Sequence, residues 1–259
     1  MTSTEVGFTG VAASLVLVAA AVVLSARQRL GVERTILWAA TRALVQLLVV
    51  GSALRLVLDD DAPVALALLW VVAMVVIAGL TVRHRAPEVP HILPVALVAI
   101  GIATIASQLV LFGLRIFPFE PVAIVPLAGM VVGNSMASTV TATRRVVAEL
   151  ADHRLEVEAR LALGQPGNVA GRPYVRSAVR TALTTQIEST KTVGLIALPG
   201  AMTGLILAGV DPMDAVLVQV VVMYLILGAA ATATAVVGVG TSRRLFTADH
   251  RLVRIAREA

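Results

Sequence analysis

Seven runs of roughly 20 mostly apolar residues, separated by short polar connections, take up most of this 259-residue chain. A run of that length is what a helix needs to cross the hydrocarbon core of a bilayer, about 30 Å thick. The runs are Val6–Ala26, Ile36–Leu58, Val64–Val82, Ile92–Leu114, Val122–Thr143, Val193–Val210 and Ala215–Val239, the sixth being the shortest at 18 residues. Only "MTSTE" precedes the first, so it lacks the basic leader of a cleaved signal peptide. The chain is 14% charged where a soluble domain has about a quarter, which excludes an ordinary globular enzyme. The expected fold is an all-α polytopic membrane protein, one transmembrane domain over residues 1–259.

The ionisable residues assign sides to the connections. One set holds Arg27, Arg29 and Arg34; Arg83 and Arg85; eight basic residues between Arg144 and Lys191; and five after Thr241. The opposite set, at 59–63, 113–121 and 209–214, holds only Arg115, against six acidic residues. Eighteen basic residues against one place the N-terminus outside and the C-terminus in the cytoplasm. Because these residues flank apolar segments, the net charge of +5 reflects topology rather than a nucleic-acid surface.

One connection is much longer than the rest. Residues 144–192 contain "DHRLEVEARLALG" and "RPYVRSAVRTALTTQIEST", the second with Val175, Val179, Leu183 and Ile187 at helical spacing. Two cytoplasmic helices are expected, parted at the Gly/Pro-rich "GQPGNVAGRP". Several chemistries are missing. The chain has no cysteine and no G-x-x-x-x-G-K-[ST] phosphate loop, and its four histidines lie in loops or at span ends without metal-ligand spacing. No metal-ligand set is identified.

Three features inside the spans remain to be explained. Gly129, Gly133 and Ala137, and again Gly200, Gly204 and Ala208, form small-residue stripes at i, i+4 and i+8 that let helices approach closely in lipid. Asn134 lies near mid-span, where an amide must face protein or water, and Met130, Asn134 and Ser138 share its face. That face either lines a path or supplies an interhelical hydrogen bond. Arg42 and Gln46 share a face of the second span; Arg42 either marks a functional site or snorkels to the surface. Asn134, Ser135, Met130, Met136, Met202, Arg42 and Gln46 are the candidates for a translocation path, with thioethers suited to soft metals. Glu188 and Lys191, three apart, are placed to pair.

"EARLALG" at 158–164 is similar to the E-A-A-x-x-x-G pattern of ATP-binding cassette (ABC) permeases; Glu158, Ala159 and Gly164 match and Arg160 replaces the second alanine. "RALVQLLVVG" at 42–51, "PLAGMVVGNSM" at 126–136, "KTVGLIALPGAMTGLILAG" at 191–209 and "QVVVMYLILGAA" at 219–230 follow in order. Together they resemble the bacterial iron-efflux ABC permease family, which includes the plant aluminium-sensitivity half-transporters. Where that family usually carries a further polar residue after "GNSM", this chain has Ala137.

The resemblance implies a non-enzymatic permease subunit of a bacterial inner membrane, working as a homodimer on a separate ATPase that binds ATP-Mg. It implies no cofactor on this chain. Glu158, Ala159 and Gly164 would dock the ATPase, with Glu188 and Lys191 latching the 144–192 loop. Iron is the implied cargo; the plant branch points instead to nucleotide sugars. A secondary transporter without an ATPase is the other reading. It predicts ionisable residues at mid-membrane, which the expected topology does not provide.

Overall fold

The computed structural model describes residues 8–59, 62–196, 198–247, 249 and 251–253. Val6, Asp60, Asp61, Ala197, His250, Arg254 and Arg257 lie outside these. Ten helices follow in order: α1 (Phe8–Gln28), α2 (Glu33–Val57), α3 (Val64–Arg85), α4 (Ile92–Gly113), α5 (Pro121–Asp152), α6 (Arg154–Ala162), α7 (Gly167–Ala170), α8 (Arg172–Thr192), α9 (Gly200–Leu207) and α10 (Pro212–Leu245). The described residues form no strand, only an isolated bridge between Phe246 and Leu252. Five helices (α2, α3, α4, α5 and α10) are long and apolar enough to cross a membrane, and α1 adds a shorter apolar stretch, Ala12–Gln28. The chain is a multi-pass, all-helical membrane protein.

Two compact units divide it, residues 1–62 and 63–259. In the first, α1 and α2 pack on one another, and Ser25 Oγ donates 2.8 Å to Glu33 Oε1 across the turn.

In the second unit α3, α4, α5 and α10 pack as a bundle. Direction follows from the clusters: Leu127 packs with Leu111, Val222 and Ile226, and Val131 with Ala103, Ala229 and Ala233. So α5 and α10 run parallel, and α4 runs opposite to both. Alanine, glycine, serine and threonine make up more than half of the buried residues of α4 and α10, because close backbone approach, not burial from water, holds helices together in lipid. Gly240 shows how tight this is, since a Cβ there would collide with Val95 Cγ1 of α4. Val95 is β-branched and stiff, so Gly240→Ala is expected to destabilise the bundle by about 1–3 kcal/mol despite alanine's better helix propensity. At Gly133 nothing stands within 4 Å of a built Cβ, and Gly133→Ala should be neutral or stabilising. Thermal unfolding of both variants in detergent measures the difference.

Two helices outrun the apolar runs that nucleate them. At 1.5 Å per residue, the 32 residues of α5 and 34 of α10 reach about 48 and 51 Å, well beyond a hydrocarbon core. Residues 144–152, expected in a loop, therefore continue α5, with Val146, Val147 and Leu150 carrying its apolar face onward.

The sixth expected span, Val193–Val210, is not one helix. Helix α8 ends at Thr192, Gly194 takes φ +84°, and α9 starts only after Pro199 and has eight residues, about 12 Å. Glycine admits the left-handed backbone, while Pro199 lacks an N–H and disfavours helix at Leu198. Pro199 thus stands between two helices rather than inside one.

Candidate functional site

Helix α6 is a nine-residue tip held from beneath by one aromatic side chain. Buried Tyr174, at the start of α8, donates its O–H 2.7 Å to Glu156 Oε2 and stacks on His153 with ring centroids 4.8 Å apart. The Arg160 guanidinium sits 5.6 Å from the same ring. Val157 is buried beneath α6, leaving the opposite face outward: Leu155 and Leu163 are each 81% exposed, with Glu158 and Ala159 between them. Glu158 pairs with Arg154 at 2.6 Å, and Gly164 ends the helix at φ +83°. Glu158, Ala159 and Gly164 thus share one exposed tip. The two leucines were not singled out from sequence, although their spacing of eight puts them on one face.

The Glu156 carboxylate accepting its hydrogen bond holds the Tyr174 phenol above its ordinary value. A raised value contributes stability that is complete below pH ~10 and lost as pH rises through the folded-state value. The contribution of Tyr174 is therefore expected to be insensitive to pH between 6 and 9. Tyr174→Phe keeps the stacking and loses the hydrogen bond. It should loosen 154–162 by about 1–2 kcal/mol, read as several-fold faster amide exchange there and not in α4.

The tip is joined to the spans at a second point. The Phe246 ring, just past α10, lies on the backbone of the Gly/Pro-rich connection: a Cβ on Gly167 would come within 2.7 Å of it, and on Gly171 within 3.0 Å. Only glycine permits that contact, and through it α6 and α7 are tied to the end of α10.

Helix α8 runs back along α5. Tyr174 stands at His153 and Ser177 Oγ donates 3.2 Å to Glu149 Oε1; a Cβ on Gly238 would meet Val179 Cγ2 at 2.5 Å. Its inward stripe is Tyr174, Ala178 and Ala182, with Val175 and Val179 packed beside them against the bundle. The first half of the Val175–Val179–Leu183–Ile187 face is internal. Val179 stands level with the first turns of α4, because Gly238 and Gly240 are one helical step apart. Residues 180–192 therefore extend about 20 Å alongside the spans. Glu188 and Lys191, paired at 2.8 Å, stand at the end of α8 away from α6.

Beyond the pair comes the break, where Leu195 and Ile196 are 88% and 83% exposed. Gly200 and Gly204 follow on α9, exposed like Gly133 on α5, with nothing within 4 Å of a built Cβ. A Cβ built on Gly129 would make an ordinary contact with Met74 Sδ at 3.7 Å. Asn134 is half-buried and its Nδ2 donates 2.8 Å to the Met130 carbonyl, so the mid-span amide is satisfied partly by its own helix. Ser135 is fully buried, and its Oγ, with Thr139, Thr234 and Thr241 Oγ1, has no hydrogen-bond partner among the described residues. Met130 and Met136 pack against apolar clusters and Met202 is half-buried on α9. Arg42 and Gln46 are exposed on α2, in the other unit. Among the described residues no three His, Asp or Glu side chains gather to hold a metal ion.

Residues 8–246 match the model of a family described as Uncharacterised protein family (UPF0014). UPF0014 membrane protein STAR2 of Oryza sativa subsp. japonica is 42% identical over 224 residues, 86% of this chain and 78% of that protein. Probable iron export permease protein FetB of Escherichia coli (strain K12) is 31% identical over 254 residues, 98% of this chain and 97% of that protein. Protein ALUMINUM SENSITIVE 3 of Arabidopsis thaliana is 38% identical over 221 residues, 85% of this chain and 80% of that protein. No solved structure matches the chain.

Proposed function

Because the chain belongs to the UPF0014 family, we propose that it is the membrane-spanning permease subunit of an ABC transporter, two copies working on two separately encoded ATPase chains. The observation that carries this reading is the α6 tip: two leucines exposed on a short helix that is stacked, hydrogen-bonded and tied to the end of α10. A rigid apolar tip of that kind accepts a partner and transmits its movement without absorbing it. The bilayer is crossed seven times, the sixth crossing being α8 and α9 with their break, and the termini lie outside and in the cytoplasm as the arginines dictate. ATP-Mg binds to the partner, not to this chain.

The exposed stripes supply the second contact. Irregular backbone at membrane depth is tolerated only against protein or a water-filled path. The break at 193–199 and the bare Gly133, Gly200 and Gly204 are therefore taken as the face shared with a second copy and bordering the path, with Asn134 and Ser135 close to it on α5. Gly133→Leu together with Gly204→Leu should leave the single chain folded and weaken self-association at least tenfold, measured by fluorescence transfer between labelled copies in vesicles.

Iron as the cargo is suggested by the name of the Escherichia coli relative. The test is reconstitution with the ATPase encoded beside it, assayed for ATP hydrolysis with and without ferrous iron. A stable complex with iron-stimulated hydrolysis is expected. A stable complex indifferent to iron retains the permease and moves the cargo to another solute, such as a nucleotide sugar. Failure to form any complex replaces the ABC reading with an ATPase-independent transporter.

A further inference from the structure

Where α10 leaves the bundle, two cavities meet at one arginine. The larger, about 580 Å³, runs between α4 and α10 along Val95, Val98, Val236 and Val239 and ends at Arg243 and Arg244. The smaller, about 270 Å³, lies on the other side of Val239 and Arg243 and is lined by Asn168, Arg172 and Ser242. Neither is lined by an acidic residue, and none of the three guanidinium groups has an ion pair or hydrogen bond among the described residues.

The depth of this site is fixed by its neighbours. Val95 stands against Gly240 in the first turn of α4, so Arg243 and Arg244, one turn further along the opposed α10, lie level with the start of that span. Arg83 and Arg85 close α3, and Arg144 Nε donates 2.9 Å to the Arg85 carbonyl, bringing a third helix to the same level. A belt of arginines at the ends of several apolar helices is where headgroups meet hydrocarbon.

We propose that the groove is a binding site for an anionic phospholipid. The phosphate is held by Arg243 and Arg244, with Arg172 and Asn168 reaching it from the side, and one acyl chain lies along the valines. Basic pockets between spanning helices take such headgroups, and arginine's forked donors suit a phosphate. The apolar wall decides for a lipid over a soluble protein. Val98 and Val239 are each 53% exposed, and the wall extends from the arginines toward mid-span, where an ATPase does not reach.

The full-length chain, delipidated in mild detergent, is titrated with phosphatidylglycerol or phosphatidylcholine, reading retained lipid by native mass spectrometry. At least tenfold preference for phosphatidylglycerol is expected. Arg243→Gln with Arg244→Gln should lose that preference, and Val239→Trp, which fills the groove and keeps both charges, should weaken retention of either lipid. Arg83→Gln with Arg85→Gln should leave the preference intact, and glycerol phosphate should not compete. The proposal is overturned if Val239→Trp and the Arg243/Arg244 variant both bind like wild type, or if the Arg83/Arg85 variant loses as much, which makes the belt diffuse. Equal competition by glycerol phosphate overturns the lipid in favour of a free-phosphate site. Loss of ATPase co-purification with unchanged lipid overturns it in favour of a protein dock.

Discussion

Aspartate at both Leu155 and Leu163 is expected to abolish stable pairing with the ATPase while the permease itself stays folded. Both side chains are 81% exposed, so neither contributes to the core whose loss would unfold the chain. Buried in a partner's cleft, each is an apolar anchor of the sort whose removal costs about 2 kcal/mol or more, and a carboxylate in its place must also be desolvated. Two such losses weaken the complex roughly a thousandfold. Alanine at both positions should give a milder loss, because it removes area without burying charge. Co-purification of the ATPase with each variant, alongside thermal unfolding of the permease alone, measures the two effects separately. Normal pairing by the aspartate variant would remove α6 as the docking element. A fall in unfolding temperature equal to that of a core variant would show that the leucines face inward.

Such a tip is only half visible in a sequence. Its start and end are legible: a charged nine-residue helix closed by Gly164 and a Gly/Pro-rich break. What holds it is not, because Tyr174, His153 and Glu156 are brought together by chain reversal rather than spacing. The same holds for Gly167 and Gly171, which read as a breaker and prove to be the seat of Phe246. The five long spans were legible because hydropathy over 20 residues is an unambiguous quantity. The extension of α5 was not, since Val146, Val147 and Leu150 are too few to register against the arginines around them.

Helix α8 shows a subtler ambiguity. Its valines, leucine and isoleucine mark one stripe, while the buried stripe is Tyr174, Ala178 and Ala182, turned by one residue. In lipid-side packing small residues face inward, and in an alanine-rich chain they carry little signal.

With α8 and α9 proposed as the sixth crossing, the Glu188–Lys191 pair lies within the spans and is expected to be the most sensitive point in the transport path. The carboxylate and ammonium stand 2.8 Å apart on the open side of α8, with side chains 57% and 64% exposed. In water such a pair is worth at most about 1 kcal/mol, and facing hydrocarbon each charge costs about 2.5–3.5 kcal/mol. An exposed ion pair at this depth is therefore retained because it faces water or a second copy. Glu188→Ala strands Lys191, and transport by the reconstituted complex is expected to fall at least tenfold with ATPase pairing unchanged, since α6 lies at the other end of α8. The reversed pair, Glu188→Lys with Lys191→Glu, separates two roles. Transport restored by reversal makes the pair a latch across the break, indifferent to its direction. Transport still lost makes Glu188 a group that meets the cargo, as a carboxylate would for a metal cation. Undiminished transport by Glu188→Ala would return both residues to a solvated surface and move the path elsewhere in the bundle.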